Sequence, residues 1–235
     1  GVMGFAVSVD SLKPTYHDRF RHGDGALELT TASIDRLQAA EMDFIVQTTI
    51  THGNRHELAD LVAWSAEKGA VSFNLYFLVP TGRGTFISDI TRQEYEDSMA
   101  VLQELQTHYE GRMVVNSKCA PHYQRYLYQR EPDSPFLKTF GGGAGGCPAG
   151  THYMGIRPDG DVSPCPYLPV YGGNLRETDL RTIWEESEVF TTIRRRNELS
   201  EACGTCEFNG VCGGCRARAY GATGDYMATD TWCGY

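Results

Sequence analysis

The sequence has no apolar stretch of eighteen or more residues, and its first residues lack the basic segment and apolar core of a secretory signal. It is also short of positive charge, because 21 lysines and arginines stand against 30 aspartates and glutamates and give a formal net charge of −9. A protein that binds nucleic acid through a general basic surface is therefore not expected. We expect a cytoplasmic protein with neither a membrane nor a nucleic acid as partner.

Two common ligand-binding motifs are missing as well. The seven histidines contain no H-E-x2-H grouping, and GGGAGG at 141–146 lacks the Lys-Ser/Thr of a phosphate-binding loop. We interpret that glycine stretch as a hinge. Single histidines such as His17, His52 and His152 are usually structural, so they do not by themselves predict a site.

The cysteines are unevenly distributed. Of the eight, Cys119 stands apart and the other seven lie within residues 147–235. In a cytoplasmic chain such clustering suggests bound metal before disulfides. Thiolates are soft ligands that select zinc or iron-sulfur clusters.

The spacing inside the cluster separates these two metals. The order is Cys203-x2-Cys206-x5-Cys212-x2-Cys215, followed by distant Cys233. Zinc ribbons usually separate their two C-x2-C pairs by about fifteen to twenty residues, and five are too few for two hairpins to meet at one ion. Three close cysteines with a distant fourth are typical of an iron-sulfur loop. A structural zinc or free thiols are the alternative.

The first part of the chain alternates strand and helix signals. Short apolar runs rich in β-branched residues predict three strands, at residues 5–10, 44–50 and 71–79. Asn54 predicts a helix start and Gly69 its end, and Thr91 with Glu94 predicts a capping box before a further helix. Repeated βα units imply parallel strands with right-handed crossovers, as in part of a barrel or a doubly wound sheet.

The composition changes near residue 117, where the chain becomes aromatic and proline-punctuated. We therefore divide it into a βα domain at 1–118, a linker at 119–146 and a second domain at 147–235. Within the second domain the turn Pro158-Asp159-Gly160-Asp161 predicts a hairpin, because proline sets φ and glycine accepts a positive φ. Helices are expected around Ile183 and Ile193.

The cysteine pattern carries a family resemblance. The pattern resembles the seven-cysteine SPASM domain of radical S-adenosylmethionine (SAM) enzymes, which holds auxiliary iron-sulfur clusters; it consists of Cys147, Cys165, the four cysteines at 203–215 and Cys233. The general form of that domain has three residues between its fifth and sixth cysteines, whereas this chain has two, between Cys212 and Cys215. VSVD at 7–10 and HDRFR at 17–21 are similar to the fourth strand and following segment of that family's partial barrel. VPTGRG and CGTCEFNGVCGGCRARAYGATGD resemble the branch that modifies siroheme-derived tetrapyrroles in heme and heme d1 biosynthesis.

The resemblance implies an α/β fold, in which the C-terminal portion of a partial (β/α) barrel precedes a small α+β SPASM or twitch iron-sulfur domain. It implies one or two auxiliary 4Fe–4S clusters. The ligands of the first would be Cys203, Cys206, Cys212 and Cys233. A second would use Cys147, Cys165 and Cys215, either with a fourth ligand such as Cys119 or with an iron open to substrate.

The family's defining C-x3-C-x2-C, which holds the cluster that cleaves SAM, is absent from the sequence. We therefore expect that the chain as given does not start a radical by itself. Because it begins abruptly at Gly1, we expect it to be part of a longer protein whose N-terminal half carries that motif; a degenerate relative is the alternative.

Residues outside the cysteine cluster are assigned by the same resemblance. It implies that Ser8 and Asp10, two residues apart at a strand end, contact SAM, and that Arg21 meets the SAM carboxylate. Arg83 follows the third strand, where parallel α/β sheets place ligands, and would suit a substrate with several carboxylates. A strand-end cap and solvated arginines are the structural alternatives.

The function implied is that of a radical SAM oxidoreductase-type enzyme that removes or oxidises a side chain of a siroheme-derived tetrapyrrole. Its electron donor would be a protein such as ferredoxin or flavodoxin. The alternatives are a maturase of a ribosomal peptide, of the quinone-cofactor or mycofactocin type, and a non-catalytic iron-sulfur electron-transfer module. A zinc-stapled binding protein is the alternative without iron.

Overall fold

A computed structural model describes residues 2–87, 90–137 and 146–235, apart from the side chains of Arg83 and Phe86. These residues form two compact units, the first from residues 2–78 with 90–118 and the second from residues 79–87 with 119–137 and 146–235. The domain limits drawn from the sequence stay a prediction. Most of GGGAGG, residues 141–145, lies outside the described residues.

The first unit is a parallel sheet whose strands alternate with helices. Its strands are paired in sequence order as β1 (Phe5–Ser8), β2 (Phe44–Ile50), β3 (Ser72–Phe77) and β4 (Val114–Lys118). The intervening helices are α1 (Pro14–Arg21), α2 (Ala26–Ala39), α3 (Leu58–Glu67) and α4 (Arg92–Tyr109). This alternation confirms the predicted parallel α/β fold. The fourth strand was not predicted, because VVNSK has only two apolar residues.

Local sequence explains where these helices begin and end. α3 buries Leu58, Leu61, Val62 and Ser65 on one face, as the spacing predicts. Gly69 follows it with a φ of 78° and donates its N–H to the Ala66 carbonyl, which confirms the predicted stop. α4 begins with the predicted capping box of Thr91 and Glu94.

Asn54 does not cap a helix, so that prediction was wrong. A 3-10 turn, Arg55–Glu57, separates Asn54 from α3. The Asn54 amide instead donates to the main-chain oxygens of Asp10, at 2.7 Å, and Thr49, at 2.9 Å. The Asn54 Oδ1, the atom that would accept helix N–H groups, accepts the Thr51 N–H at 2.7 Å instead.

The second unit contains a small antiparallel sheet and five described helices. The strands are β5 (Gly155–Ile156), β6 (Asp161–Ser163) and β7 (Gly173–Asn174). The helices are α5 (His122–Arg130), α6 (Leu180–Glu186), α7 (Glu188–Arg194), α8 (Glu201–Thr205) and α9 (Arg216–Thr223). The hairpin of β5 and β6 is as predicted, with Gly160 at a φ of 96°. Helix α5 lies inside the segment that was predicted as a linker.

Cysteines form part of the core of the second unit. One buried cluster consists of Val162, Ile183 and Phe190. The larger cluster contains Val79, Ala149, Cys165, Leu168, Ile193, Cys215 and Ala217. Cys119 and Cys147 pack against that larger cluster, so four thiols share one apolar region. Among the helices that the structure describes, none combines the length and the apolar character that a membrane span requires.

Candidate metal centre

All eight cysteines lie in the second unit as free thiols. Four are buried, namely Cys165, Cys203, Cys212 and Cys215. The other four are partly buried, namely Cys119, Cys147, Cys206 and Cys233. The mutual effects of their charges connect Cys119, Cys147, Cys165 and Cys215 with one another, and Cys203, Cys212 and Cys233 with one another. Cys206 joins the set that contains Cys203 by its place directly after the helix that carries Cys203.

The first thiol group is Cys203, Cys206, Cys212 and Cys233. Cys203 lies in α8 and Cys206 follows that helix directly. The Thr229 hydroxyl accepts the Cys203 N–H at 3.1 Å, and the Asn209 amide donates to the Cys203 carbonyl at 2.8 Å. These bonds fix the loop that carries three of the four thiols.

The electrostatics of this group indicate that its thiols are neighbours. Burial raises the pKa of the Cys212 thiol to about 12; the Gly214 N–H, 3.4 Å from the sulfur, lowers it, and the charges of Cys233 and Cys203 raise it further. Burial also raises the pKa of Cys233, and the Cys203 charge adds to that rise. Three of the four predicted ligands therefore act directly on one another.

Cys206 is connected to the group through the chain end. The pKa of Tyr235 is raised by its hydrogen bond to Glu207, and the Cys206 charge adds to that rise. The Tyr235 carbonyl in turn lies 4.0 Å from the Cys233 sulfur. Tyr235 thus interacts with Cys206 through charge and with Cys233 through its carbonyl.

The second thiol group is Cys119, Cys147, Cys165 and Cys215. Burial raises the pKa of Cys147 to about 12, and the charges of Cys215 and Cys165 raise it further. Burial raises the pKa of Cys119 well above its ordinary range, and the charges of the other three members add to the rise. Cys119 therefore lies with the three thiols for which the sequence analysis named it as one of two alternatives, the other being an iron open to substrate.

Hydrogen bonds reach the sulfur of Cys165 in the second thiol group. The Tyr153 hydroxyl and the Tyr167 N–H each donate to it at 3.4 Å. Donors aimed at a sulfur favour its thiolate form and tune the potential of any cluster that it binds. No local pattern pointed to Tyr153, because the contact joins residues twelve positions apart across a hairpin.

The chemistry of both groups fits a polynuclear iron cluster. Four ionised thiols in an apolar core would repel one another and lose hydration, and a bound cationic centre removes both costs. Among the described residues, no three His, Cys, Asp or Glu side chains converge on the position of a single metal ion.

The first unit brings two of the predicted SAM residues together. The Arg21 Nε lies 2.5 Å from Oδ2 of Asp10, whose side chain is fully buried. Oδ1 of Asp10 accepts the Thr49 N–H at 2.8 Å. The main-chain N–H of Asp10 donates to Nδ1 of His17 at 3.1 Å. The Asp10 carboxylate is thus held by protein groups, and buried His17 serves as a structural acceptor.

Ser8 is the first member of a polar row across the sheet. The strand register pairs Ser8 with Gln47, Gln47 with Asn74, and Asn74 with Asn116. Residues in register on adjacent parallel strands project to the same face. The Oδ1 atoms of Asn74 and Asn116 are buried without a hydrogen-bond partner among the described residues.

The sequence analysis missed this polar row, although each strand carries the signal. Polar residues at alternate positions of FIVQTTI and SFNLYF place Gln47 and Asn74 opposite the apolar face. Buried, unpaired amide oxygens are costly, and this row contains two of them. Arg83 lies in the 3-10 turn Gly82–Phe86, and its side chain is outside the described part of the structure.

Comparisons with known proteins give consistent results. Residues 147–207 match the SPASM family, described as an iron-sulfur cluster-binding domain. An AdoMet-dependent heme synthase of Methanosarcina barkeri is 40% identical over 240 residues, covering 100% of this chain and 68% of that protein. A pre-heme d1 synthase of Dinoroseobacter shibae is 28% identical, covering 97% of this chain and 60% of that protein. The chain thus spans about two thirds of the length of these relatives.

A solved structure shares the fold. Streptococcus suis SuiB bound to the precursor peptide SuiA aligns with a TM-score of 0.71 at 15% identity. The alignment covers 99% of this chain and 53% of SuiB. At that identity the likeness concerns the fold alone.

Proposed function

Because the chain belongs to the radical SAM family with a SPASM domain, in the branch that includes the AdoMet-dependent heme synthases, we propose that it holds two auxiliary 4Fe–4S clusters and acts, within a longer protein, on a siroheme-derived tetrapyrrole. The family membership confirms the resemblance inferred from the cysteine pattern. The observation that carries the proposal is that Cys119, Cys147, Cys165 and Cys215 share one apolar region of the second unit, whereas the charges of Cys203, Cys212 and Cys233 act on one another.

The first thiol group would hold one cluster and the second thiol group the other, with Cys119 as the fourth ligand. Three observations support Cys119: it packs against the core that contains Cys165 and Cys215, its charge interacts with theirs, and its backbone is unusual. The φ of Cys119 is 57°, in the left-handed region that non-glycine residues rarely adopt. Such strain is retained mainly where it directs a functional side chain.

When bound, each cluster supplies a centre that accepts or donates one electron. The chain's own residues would bury each cluster, exclude water from it and donate hydrogen bonds to the cysteine sulfurs that bind it. In the first unit, Ser8 and the polar row of Gln47, Asn74 and Asn116 would face SAM or substrate. Asp10 and Arg21 would fix the strand end beside them. A protein such as ferredoxin or flavodoxin would donate electrons.

Iron and sulfide analysis after anaerobic reconstitution tests the cluster assignment. We expect a brown chain with about eight irons and a matching amount of sulfide. Uptake of about four irons would contradict the second cluster. A colourless chain that binds one zinc ion would contradict both clusters and favour a binding protein stabilised by zinc.

Optical titration with a siroheme-derived tetrapyrrole tests the substrate class. We propose that Arg83 pairs with a substrate carboxylate, so Arg83→Gln should weaken binding by about tenfold or more, the cost of losing a charged hydrogen bond. Arg19→Gln removes the same charge from an exposed position of α1 and should leave binding unchanged. A PqqA peptide cyclase of Rhizobium meliloti, 30% identical over 148 residues, keeps peptide modification as the second candidate. A chain that ignores the tetrapyrrole but binds a peptide would overturn the first candidate.

A further inference from the structure

A fully buried ion pair lies among the ligands of the second unit. Arg218 and Asp230 have side chains with 0% exposure, and Nη1 of Arg218 lies 2.9 Å from Oδ2 of Asp230. Removing two charges from water costs several kcal/mol per ion, and hydrophobic residues of similar volume often stabilise a core equally well. The pair is therefore poorly explained as a source of stability alone.

The pair is hydrogen-bonded to the main chain of the second thiol group. Oδ2 of Asp230 accepts the Cys215 N–H at 2.7 Å. Nη2 of Arg218 donates to the Cys119 carbonyl at 2.9 Å. One ion pair thus connects two thiols that are ninety-six residues apart in sequence, from Cys119 to Cys215.

The same pair also holds the segment of Cys233, which belongs to the first thiol group. The main-chain oxygen of Asp230 accepts the Cys233 N–H at 3.3 Å, and Oδ1 of Asp230 accepts the Trp232 N–H at 3.1 Å. The Arg218 guanidinium lies over the Trp232 ring, 4.2 Å from its centre. Asp230 therefore contacts the backbone of ligands from both groups.

We propose that Arg218 and Asp230 form a positioning pair that holds ligands of both cluster sites and sets their reduction potentials. This inference rests on the proposed occupation of the two thiol groups by 4Fe–4S clusters. A charge in a low-dielectric interior acts strongly over short distances, and nearby charge is one of the factors that set cluster potentials. The negative charge of Asp230 disfavours an added electron, and the positive charge of Arg218 favours it.

The two charges predict shifts of opposite sign, which a merely structural role does not. In the reconstituted chain, Asp230→Asn should raise the midpoint potentials, whereas Arg218→Met should lower that of the second cluster. The double variant should return close to the wild-type values. Redox titration followed by electron paramagnetic resonance measures each cluster separately. Asp225→Asn and Arg181→Met are the matched controls, because they remove the same charges from exposed positions.

Shifts in the same direction for both variants, or shifts no larger than those of the controls, would overturn the proposal. If Asp230→Asn prevents folding, Arg218→Lys decides, because lysine keeps the charge but lacks the planar fork that reaches both Asp230 and the Cys119 carbonyl. The resonance signal of the second cluster should then change while that of the first does not, and two unchanged signals would count against the pair. A wild-type chain that takes up no iron would instead overturn the proposed function.

Discussion

Replacing Cys203 by alanine is expected to remove about four of about eight irons, and replacing Cys165 should remove the other four. The reason is that the two thiols belong to separate groups, so losing one ligand leaves three thiolates around one cluster and all four around the other. Iron and sulfide analysis, with a spectrum of each remaining cluster, distinguishes the two variants. The double variant should bind almost no iron.

Cys119→Ala separates the two models of the second site. If Cys119 is the fourth ligand, its replacement should behave like Cys165→Ala or leave a second cluster with an altered spectrum. An unchanged iron content and spectrum would mean that the site keeps an open iron. Circular dichroism controls for folding, because Cys119 is only partly buried and its removal leaves a small cavity. If Cys203→Ala alone, or Cys165→Ala alone, lost iron from both sites, the division into two groups would be contradicted.

The sequence was most informative where chemistry depends on local spacing. The parallel sheet, the capping box at Thr91 and the turn around Gly160 follow from periodicity and from backbone preferences of individual residues. The close cysteines predicted metal because few other arrangements tolerate so many thiols in thirteen residues. The capping box and the turn are local, so neighbouring residues determine them, and the parallel sheet follows from the alternation of strand and helix signals along the chain.

Features that depend on long-range contact could not be predicted in the same way. Asn54 was assigned to a helix cap because Asn is a good capping residue, yet its Oδ1 accepts the Thr51 N–H and its amide donates to the carbonyl of Asp10, forty-four residues away. In the sequence, Arg218 looks like an ordinary basic residue near a helix start and Asp230 like an ordinary acidic loop residue, so nothing there indicates that they form an ion pair. Only the folded chain brings those charges together at 2.9 Å with no exposure to solvent.

The position of Gly204 inside the cysteine loop leads to the second large expected effect. A Cβ atom at this position would lie 1.8 Å from the main-chain oxygen of Leu199, far closer than van der Waals contact permits. The backbone that carries Cys203 and Cys206 would have to shift, because a carbonyl cannot rotate away as a side chain does. Gly204→Ala should therefore lower the free energy of unfolding by about 2–3 kcal/mol and prevent the first thiol group from holding its cluster.

Gly210→Ala is the matched control, because it makes the same change in the same loop at a position with no atom within 4 Å. We expect its free energy of unfolding to stay within about 0.5 kcal/mol of the wild type and its iron content to stay unchanged. Denaturant unfolding of the iron-free chain measures stability, and iron analysis after reconstitution measures each site. Because the clash lies beside Cys203 and the second thiol group is anchored elsewhere, Gly204→Ala should keep about four irons. Loss of both clusters with unchanged stability would contradict the view that each thiol group holds its own cluster.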